Sequence, residues 1–444
     1  MSNKPILFIF LFLSGIAFSQ ETPTSFSLQE AINYALENNR TAKNAERDIE
    51  AAQQQKWETT ASGLPQVSAT VDYQNFLKQQ VTPVDFNGDG INEELVLGQP
   101  QSLTATATLS QKIFDGSYLV GLQSAKVYLE ISKNAKEKTD LEVRKNVINA
   151  YGNVLLAEES LTILNKNIEV LQKNLDDTTK IYENGLEEEE SVEQLQITLS
   201  GVESQLNNTT RLKDIAYQML NITLGIDLNS QITLTDNLET LTTQNINLGL
   251  LETDDSVENT IDYRIAANDK ISKELLLKLE KSKYLPTLNA FINGAYAGNS
   301  DTFTFAQGDQ KWYGSSLFGV SLNIPIFSSG MRNASTQRAR INLEKAEADL
   351  TETEQQLKLQ IASAKSDYQL AIEEYDNKKQ NLSLAERIER KNQTKFFEGI
   401  GSSFELRQAQ TQLYTAQQEF LQAMLDVINS KATLETTLNT VQLN

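Results

Sequence analysis

The chain repeats itself, and each copy is built on apolar patterns too long for the helices of a compact core. Tyr182-x-x-Gly185-Leu186 returns as Phe396-x-x-Gly399-Ile400. At the same offset Val192, Leu195, Leu199, Val202, Leu206, Thr209, Lys213, Ala216 and Leu220 fall on Leu406, Ala409, Leu413, Ala416, Phe420, Ala423, Val427, Ser430 and Leu434. Steps of three and four alternate in both copies, which is a heptad seam. Upstream, Leu64-Pro65-Gln66 resembles Leu285-Pro286-Thr287, and Ile113-Phe114 resembles Ile326-Phe327. Anchors in the same order on both sides point to internal duplication.

The first copy opens with a helix expected over Leu28 to Thr60, where Ser27 and Glu30 make a capping box. A second helix is expected from Gly116 to Tyr182, with its seam at Leu161, Leu164, Ile168, Leu171, Leu175, Thr178 and Tyr182. At 1.5 Å per residue it would span ~100 Å. A third runs from about Glu188 to Leu224, and the second copy offers Glu258 to Tyr284, Arg332 to Phe397 and Ser403 to Val441. Helices well beyond ~25 residues read as coiled coil. Asn, Gln, Thr and Ser on the outer faces, and small seam residues such as Ala409 and Ala416, suit a wall wetted on both sides.

Four segments between the helices alternate with period two. Val67, Ala69, Val71 and Tyr73 oppose Ser68, Thr70, Asp72 and Gln74; Leu103, Ala105, Ala107 and Leu109 oppose Thr104, Thr106, Thr108 and Ser110. Leu288, Ala290, Ile292 and Tyr296 oppose Asn289 and Asn293, and Phe318, Val320, Leu322 and Ile324 oppose Gly319, Ser321 and Asn323. Strands are expected over about 66–77, 102–112, 287–297 and 315–326. Their length suits tilted membrane strands, and no stretch beyond the leader reaches the ~18 apolar residues of a spanning helix. An open strand edge in hydrocarbon costs several kcal/mol per unpaired group, and the smallest usual barrel has about eight strands. One chain has too few, so copies must complete the wall; two would reach the minimum and three would give twelve, and periodicity does not choose between them. Pro65, Pro286 and Pro325 stand where helix must give way to strand or strand to helix.

Lys4, an apolar run from Ile6 to Phe18, and small residues Ala17 and Ser19 lay out a secretory signal peptide over residues 1–19. The expected organisation is then a first repeat over 20–225, an inter-repeat segment over 226–258 rich in Leu, Thr and Asn, and a second repeat over 259–444. With no cysteine and no histidine, disulfide scaffolds, thiolate or imidazole metal sites and serine–histidine catalysis are excluded. A formal net charge of -20, from 39 basic and 59 acidic residues, argues against nucleic acid. No Walker or Rossmann glycine spacing is present. Asp85, Asn87 and Asp89 in Asp-Phe-Asn-Gly-Asp-Gly alternate like the start of a calcium loop, but Val96 stands where its closing glutamate belongs. Turn chemistry explains the same residues, so calcium is a candidate and no other cofactor is expected.

These anchors together resemble the TolC family of outer-membrane efflux proteins over about residues 26–441. The resemblance implies a mixed α/β membrane protein: a long coiled-coil α-helical barrel, with four strands per chain in a trimeric 12-stranded β-barrel. It implies a passive, non-enzymatic exit duct of a tripartite efflux or type I secretion system, placed in the outer membrane of a Gram-negative bacterium and reaching into the periplasm. Its partners would be two further copies, outer-membrane lipid, a periplasmic membrane-fusion adaptor and an inner-membrane pump of RND or ABC type. By the same resemblance the two helical hairpins turn at the periplasmic mouth, at Gly185 and at Gly399 and Gly401. An acidic pair in relatives falls on Glu405 and Gln408, the second of which is not acidic. A latch aromatic falls on Phe396, which lacks a hydroxyl and is the counterpart of Tyr182 in the first copy, and a basic latch partner falls on Gly401. Glu187, Glu188, Glu189, Glu190 and Glu193 would crowd carboxylates around that mouth and make it cation-sensitive. The plainer reading is an acidic first turn favoured by the helix dipole. The competing function is a secreted coiled-coil structural or adhesive protein, which would need no amphipathic strands.

Overall fold

The computed structural model describes residues 25–85, 88, 90, 93–96, 98–253 and 256–440. The signal peptide expected over 1–19 lies outside them. In chain order the elements are β1 (Ser25–Phe26), α1 (Leu28–Asn38), α2 (Arg40–Ala61), β2 (Gln66–Asn75), β3 (Val81–Val84), β4 (Glu93–Val96), β5 (Gln101–Phe114), α3 (Gly116–Glu183) and α4 (Glu189–Leu224). Then come β6 (Thr233–Leu234), α5 (Leu238–Gln244), two short 3-10 turns, α6 (Ile261–Ser282), β7 (Thr287–Ser300), β8 (Trp312–Asn323), α7 (Met331–Phe397) and α8 (Ser403–Leu438). The helices α3 and α7 have 68 and 67 residues.

The first helix expected from the sequence is two helices. The Ser27–Glu30 capping box starts α1, but Asn39 is extended at φ −59° and ψ 134° and breaks the run before α2. Its side-chain amide donates to the Thr223 carbonyl at 2.7 Å, a tertiary bond that the local apolar period does not encode. Strand boundaries also differ from expectation: β2 stops at Asn75, and β8 runs from Trp312 to Asn323, leaving Pro325 between it and α7. Pro65 and Pro286 directly precede β2 and β7. The loop from β2 to β5 carries its own hairpin, β3 with β4, where only turn residues were expected.

The chain divides into two compact units. One comprises residues through Arg40, Glu142–Glu252 and Ser366–Thr433. Its core includes Leu164, Leu171, Leu195, Leu199 and Val202, with Ile168, Leu175, Leu206 and Tyr414 against them. These are α3 and α4 seam positions joined by one α8 residue, and fully burying each leucine favours the fold by roughly 1.5–3 kcal/mol. In the same unit β1 pairs in parallel with β6. Tyr151, fully buried, fixes this pair: its hydroxyl lies 2.8 Å from Asp236 Oδ2 and 3.0 Å from the Phe26 carbonyl. Tyr368, equally buried on α7, donates to the Asn245 carbonyl at 2.7 Å and accepts from the Asn247 amide at 2.8 Å. Each long helix thus presents one buried tyrosine to the inter-repeat segment.

The other unit comprises Thr41–Leu141, Thr253–Lys365 and the residues from Leu434 on. It holds one antiparallel sheet in the order β2-β5-β7-β8. The register keeps like with like. Val67, Leu109, Ile292 and Phe318 form one row across the sheet, and Val71, Ala105, Tyr296 and Gly314 another. The alternate rows are mainly hydroxyl and amide, as in Ser68, Thr108 and Asn293. The apolar face is bare: Val67 is 76%, Val71 67%, Phe318 69% and Val320 56% exposed. On the β7–β8 pair, Phe291, Tyr296 and Trp312 each sit opposite a glycine, Gly319, Gly314 and Gly298. A Cβ at Gly319 would meet the Phe291 ring at 2.5 Å, so the ring occupies the space that glycine leaves. Among the described residues β2 and β8 have one neighbour each, so both outer edges offer unpaired backbone.

Candidate functional site

The residues singled out by sequence lie at two helical hairpin turns, both in the first unit. At the first, Gly185 has φ 74°, its amide donates to the Tyr182 carbonyl at 2.7 Å, and the Leu186 amide donates to the Ile181 carbonyl at 3.1 Å. This is a left-handed helix stop of the Schellman kind. Gly399 does the same at φ 75°, with the Ile400 amide on the Lys395 carbonyl at 3.0 Å. Gly401 has a different constraint: a Cβ there would come within 2.9 Å of the Lys395 Cβ. A side chain at this position would force Lys395 and its backbone to shift.

The acidic run starts α4. Glu188 is the N-cap residue without a side-chain cap bond, and Glu189 and Glu190 fill the first turn, where carboxylates complement the helix dipole. Glu187 accepts from the Ser191 hydroxyl at 2.6 Å, and Glu190 from the Gln194 amide at 2.6 Å. Glu193 and Gln408 are exposed. Glu405 forms a capping box at the start of α8: its carboxylate accepts from the Ser402 amide at 3.1 Å, and its own amide donates to the Ser402 hydroxyl at 3.2 Å. It therefore has a structural task that its sequence position also advertises.

The two turns are brought together through Phe396. Its ring is buried, 5.3 Å from the Phe397 ring in an edge-on contact. It shares a small cleft with Ser191, Leu195 and Thr198 of α4 and with Leu406 and Arg407 of α8. Tyr182 and Gln408 stand outside that cleft. The result is a packed aromatic centre with an acidic exposed surround, an arrangement able to gather cations and to change spacing if the helices part.

Sequence reasoning missed the polar side chains in the seam behind this end. Asn167 donates to Gln417 at 2.8 Å, and Gln393 to Asn174 at 3.1 Å. Gln410 is 1% exposed, and neither its amide nitrogen nor its oxygen has a protein partner. Asn167 and Asn174, like Gln410 and Gln417, recur one heptad apart beside the apolar seam positions; that repeat was the available signal. Nearby, burial raises the Glu389 carboxyl above its ordinary value despite Arg390. Burial and then the Glu389 charge raise the Tyr414 phenol.

Asp85 closes its own turn, accepting the Gly88 amide at 2.7 Å and the Gly90 amide at 2.9 Å. Asn87 and Asp89, the other expected calcium ligands, lie outside the described residues. Among the described residues no group of three carboxylates is arranged to hold a metal ion, and no helix is long and apolar enough to cross a membrane.

A family model described as outer membrane efflux protein matches residues 31–225 and 275–440. The chain is 22% identical to outer membrane protein TolC of Escherichia coli, across 99% of this chain and 87% of that protein. It is 21% identical to toluene efflux pump outer membrane protein TtgC of Pseudomonas putida, across 92% and 82%. Its fold is similar to the crystal structure of VceC from Vibrio cholerae, with a TM-score of 0.72 at 16% identity over 93% of this chain and 95% of that one. It is likewise similar to the Campylobacter jejuni CmeC channel, with a TM-score of 0.71 at 19% identity over 93% and 85%.

Proposed function

The chain belongs to the outer membrane efflux protein family, and from that premise we propose that it is the outer-membrane exit duct of a tripartite efflux or secretion system, closed by three copies. It is a non-catalytic conduit anchored in the outer membrane and extending into the periplasm. The carrying observation is the four-stranded sheet, apolar on one face, polar on the other, and open at both edges. In lipid such edges must be paired, and three sheets of four strands give a twelve-stranded wall with a wet interior. The helices favour company too: Leu212, Ile215, Met219 and Ile222 are each at least half exposed along α4 at three- and four-residue steps, a second seam that a neighbouring copy would cover.

A periplasmic adaptor and an inner-membrane pump, of RND or ABC type, would supply docking and energy. The efflux names of relatives support such partners. The hairpin ends form the periplasmic mouth in this reading. Phe396 packs it shut, while Glu187, Glu188, Glu189, Glu190, Glu193 and Glu405 make it answer to cations within the ~8 Å reach of unscreened charge. Planar-bilayer conductance tests both parts. The wild-type protein should insert without added partners and conduct, and trivalent cations should block it from the hairpin side. Replacing these six glutamates with glutamine should leave a conducting channel with block weakened by at least an order of magnitude; unchanged block removes them from the mouth. A protein that stays soluble without detergent and never conducts would favour the secreted coiled-coil alternative.

A further inference from the structure

The loop between β7 and β8 does not stand away from the sheet; it folds back onto the sheet's apolar face. Tyr73, Leu103, Gly298 and Trp312 form one row across β2, β5, β7 and β8, in step with the apolar rows below. Gly298 leaves a hollow in this row, since a Cβ there would lie 3.2 Å from the Trp312 ring. Phe305 reaches across it: its ring is 6.0 Å from Tyr73 on one edge strand and 6.3 Å from Trp312 on the other, and it is only 8% exposed. Phe303 stacks edge-on against both Phe305, at 5.5 Å, and Tyr73, at 5.8 Å.

Hydrogen bonds set the loop in this position. Thr304 Oγ1 lies 2.5 Å from Gln310 Oε1, Gln310 donates to the Asn299 carbonyl at 3.2 Å, and the Gln307 amide donates to the Thr304 carbonyl at 2.8 Å. A self-contained loop core would bury both phenylalanines, as it does Phe305. Here Phe303 stays 63% exposed and Tyr296 62%, continuous with bare Val71. Exposed Asp301, Asp309 and Lys311 flank the rings. Apolar and amphipathic rings between an acyl-facing band and a charged rim have the composition of a membrane interface.

We propose that the β7–β8 loop is a lipid anchor, with Phe303 seated at the boundary between acyl chains and headgroups of the outer leaflet and buried Phe305 packed against the sheet to hold it there. The partner is the bilayer lipid. This rests on reading the sheet as part of a membrane barrel, because the helices leave from the opposite strand ends and so place this loop outside the cell. The loop then fixes how deep the barrel sits, and its weight lies on the lipid side of the wall.

The two tryptophans, Trp57 and Trp312, make the test direct. Trp57→Phe leaves Trp312 as the native probe. Two further variants lack both tryptophans and carry either Phe303→Trp or Phe318→Trp, the latter about 20 Å further along its strand from the rim. Each is reconstituted into phosphatidylcholine vesicles brominated either near the headgroup or near the chain ends. Emission from Trp312 and from the indole at position 303 should be lost mainly to the shallow bromines, and emission from position 318 mainly to the deep ones. If positions 303 and 312 are quenched by acrylamide in water and by neither lipid, while position 318 still responds to deep bromines, the anchor is wrong and the membrane sheet stands. If position 318 also ignores both lipids, the sheet reading falls and the anchor with it.

Discussion

Tyr151 shows how much one side chain can organise. Its hydroxyl meets Asp236 and the Phe26 carbonyl, and Asp236 also accepts the Leu28 amide at 2.7 Å, so one phenol ties the start of the described chain to the inter-repeat segment. Tyr151→Phe should cost about 1.5–3 kcal/mol, the range for a hydrogen bond to a charged group, and lower the unfolding midpoint accordingly. Burial raises the Tyr151 and Tyr217 phenols well above their ordinary value. The stability they supply is therefore complete below pH about 10. It declines at higher pH, where the unfolded chain releases protons that the folded chain keeps. Alkaline melting curves should show that decline, less steeply in Tyr151→Phe. Glu389 has the same sign at a different pH. Its carboxyl is raised by burial, so its contribution is present in acid, below the ordinary carboxylate value, and lost as pH rises through the folded value. Glu389→Gln should then raise the midpoint at neutral pH and lose that advantage in acid; an equal gain at both would refute the assignment. None of these partnerships was legible in sequence, because each joins residues far apart in the chain that no local period relates.

At the scale of elements, the long helices and the four main strands were legible, because each repeats one physical rule for many residues. Heptad steps marked the seams of α3 and α4, and alternation marked the faces of β2, β5, β7 and β8. The break at Asn39 was not legible, since tertiary contacts accompany it, among them its bond to Thr223 and the close approach of Gly225 to Asn38 and Asn39. The β3–β4 hairpin was hidden for a related reason: each strand has four residues, too few for alternation to stand out. The aromatic–glycine pairs of β7 and β8 became visible only once register was known. At the mouth the residue types were legible but not their division of labour. Glu405 illustrates this, because it caps α8 and also carries charge. Glutamine retains the capping bond and removes the charge, so the two roles separate. Glu405→Gln should keep wild-type stability and weaken cation block, whereas Glu405→Ala should also cost about 1 kcal/mol of stability. Thermal melting and conductance on the same two variants check this; loss of stability in the glutamine variant would contradict it.

At the scale of the whole molecule, a single chain is unfinished in both units. One presents a bare apolar sheet face and two unpaired strand edges; the other presents an apolar stripe along α4. A water-soluble monomer could not leave such surfaces uncovered, and membrane family membership gives the sheet face its natural solvent. Closure demands further copies but permits two or three, so three is part of the proposal and no single residue encodes it. Work as a duct therefore requires neighbouring copies to complete the wall. Native mass spectrometry of the detergent-extracted protein tests it most directly. A single species of three chains that remains intact when detergent is stripped in the instrument is expected; a predominant single chain, or a stable species released into detergent-free buffer, would contradict closure by three copies.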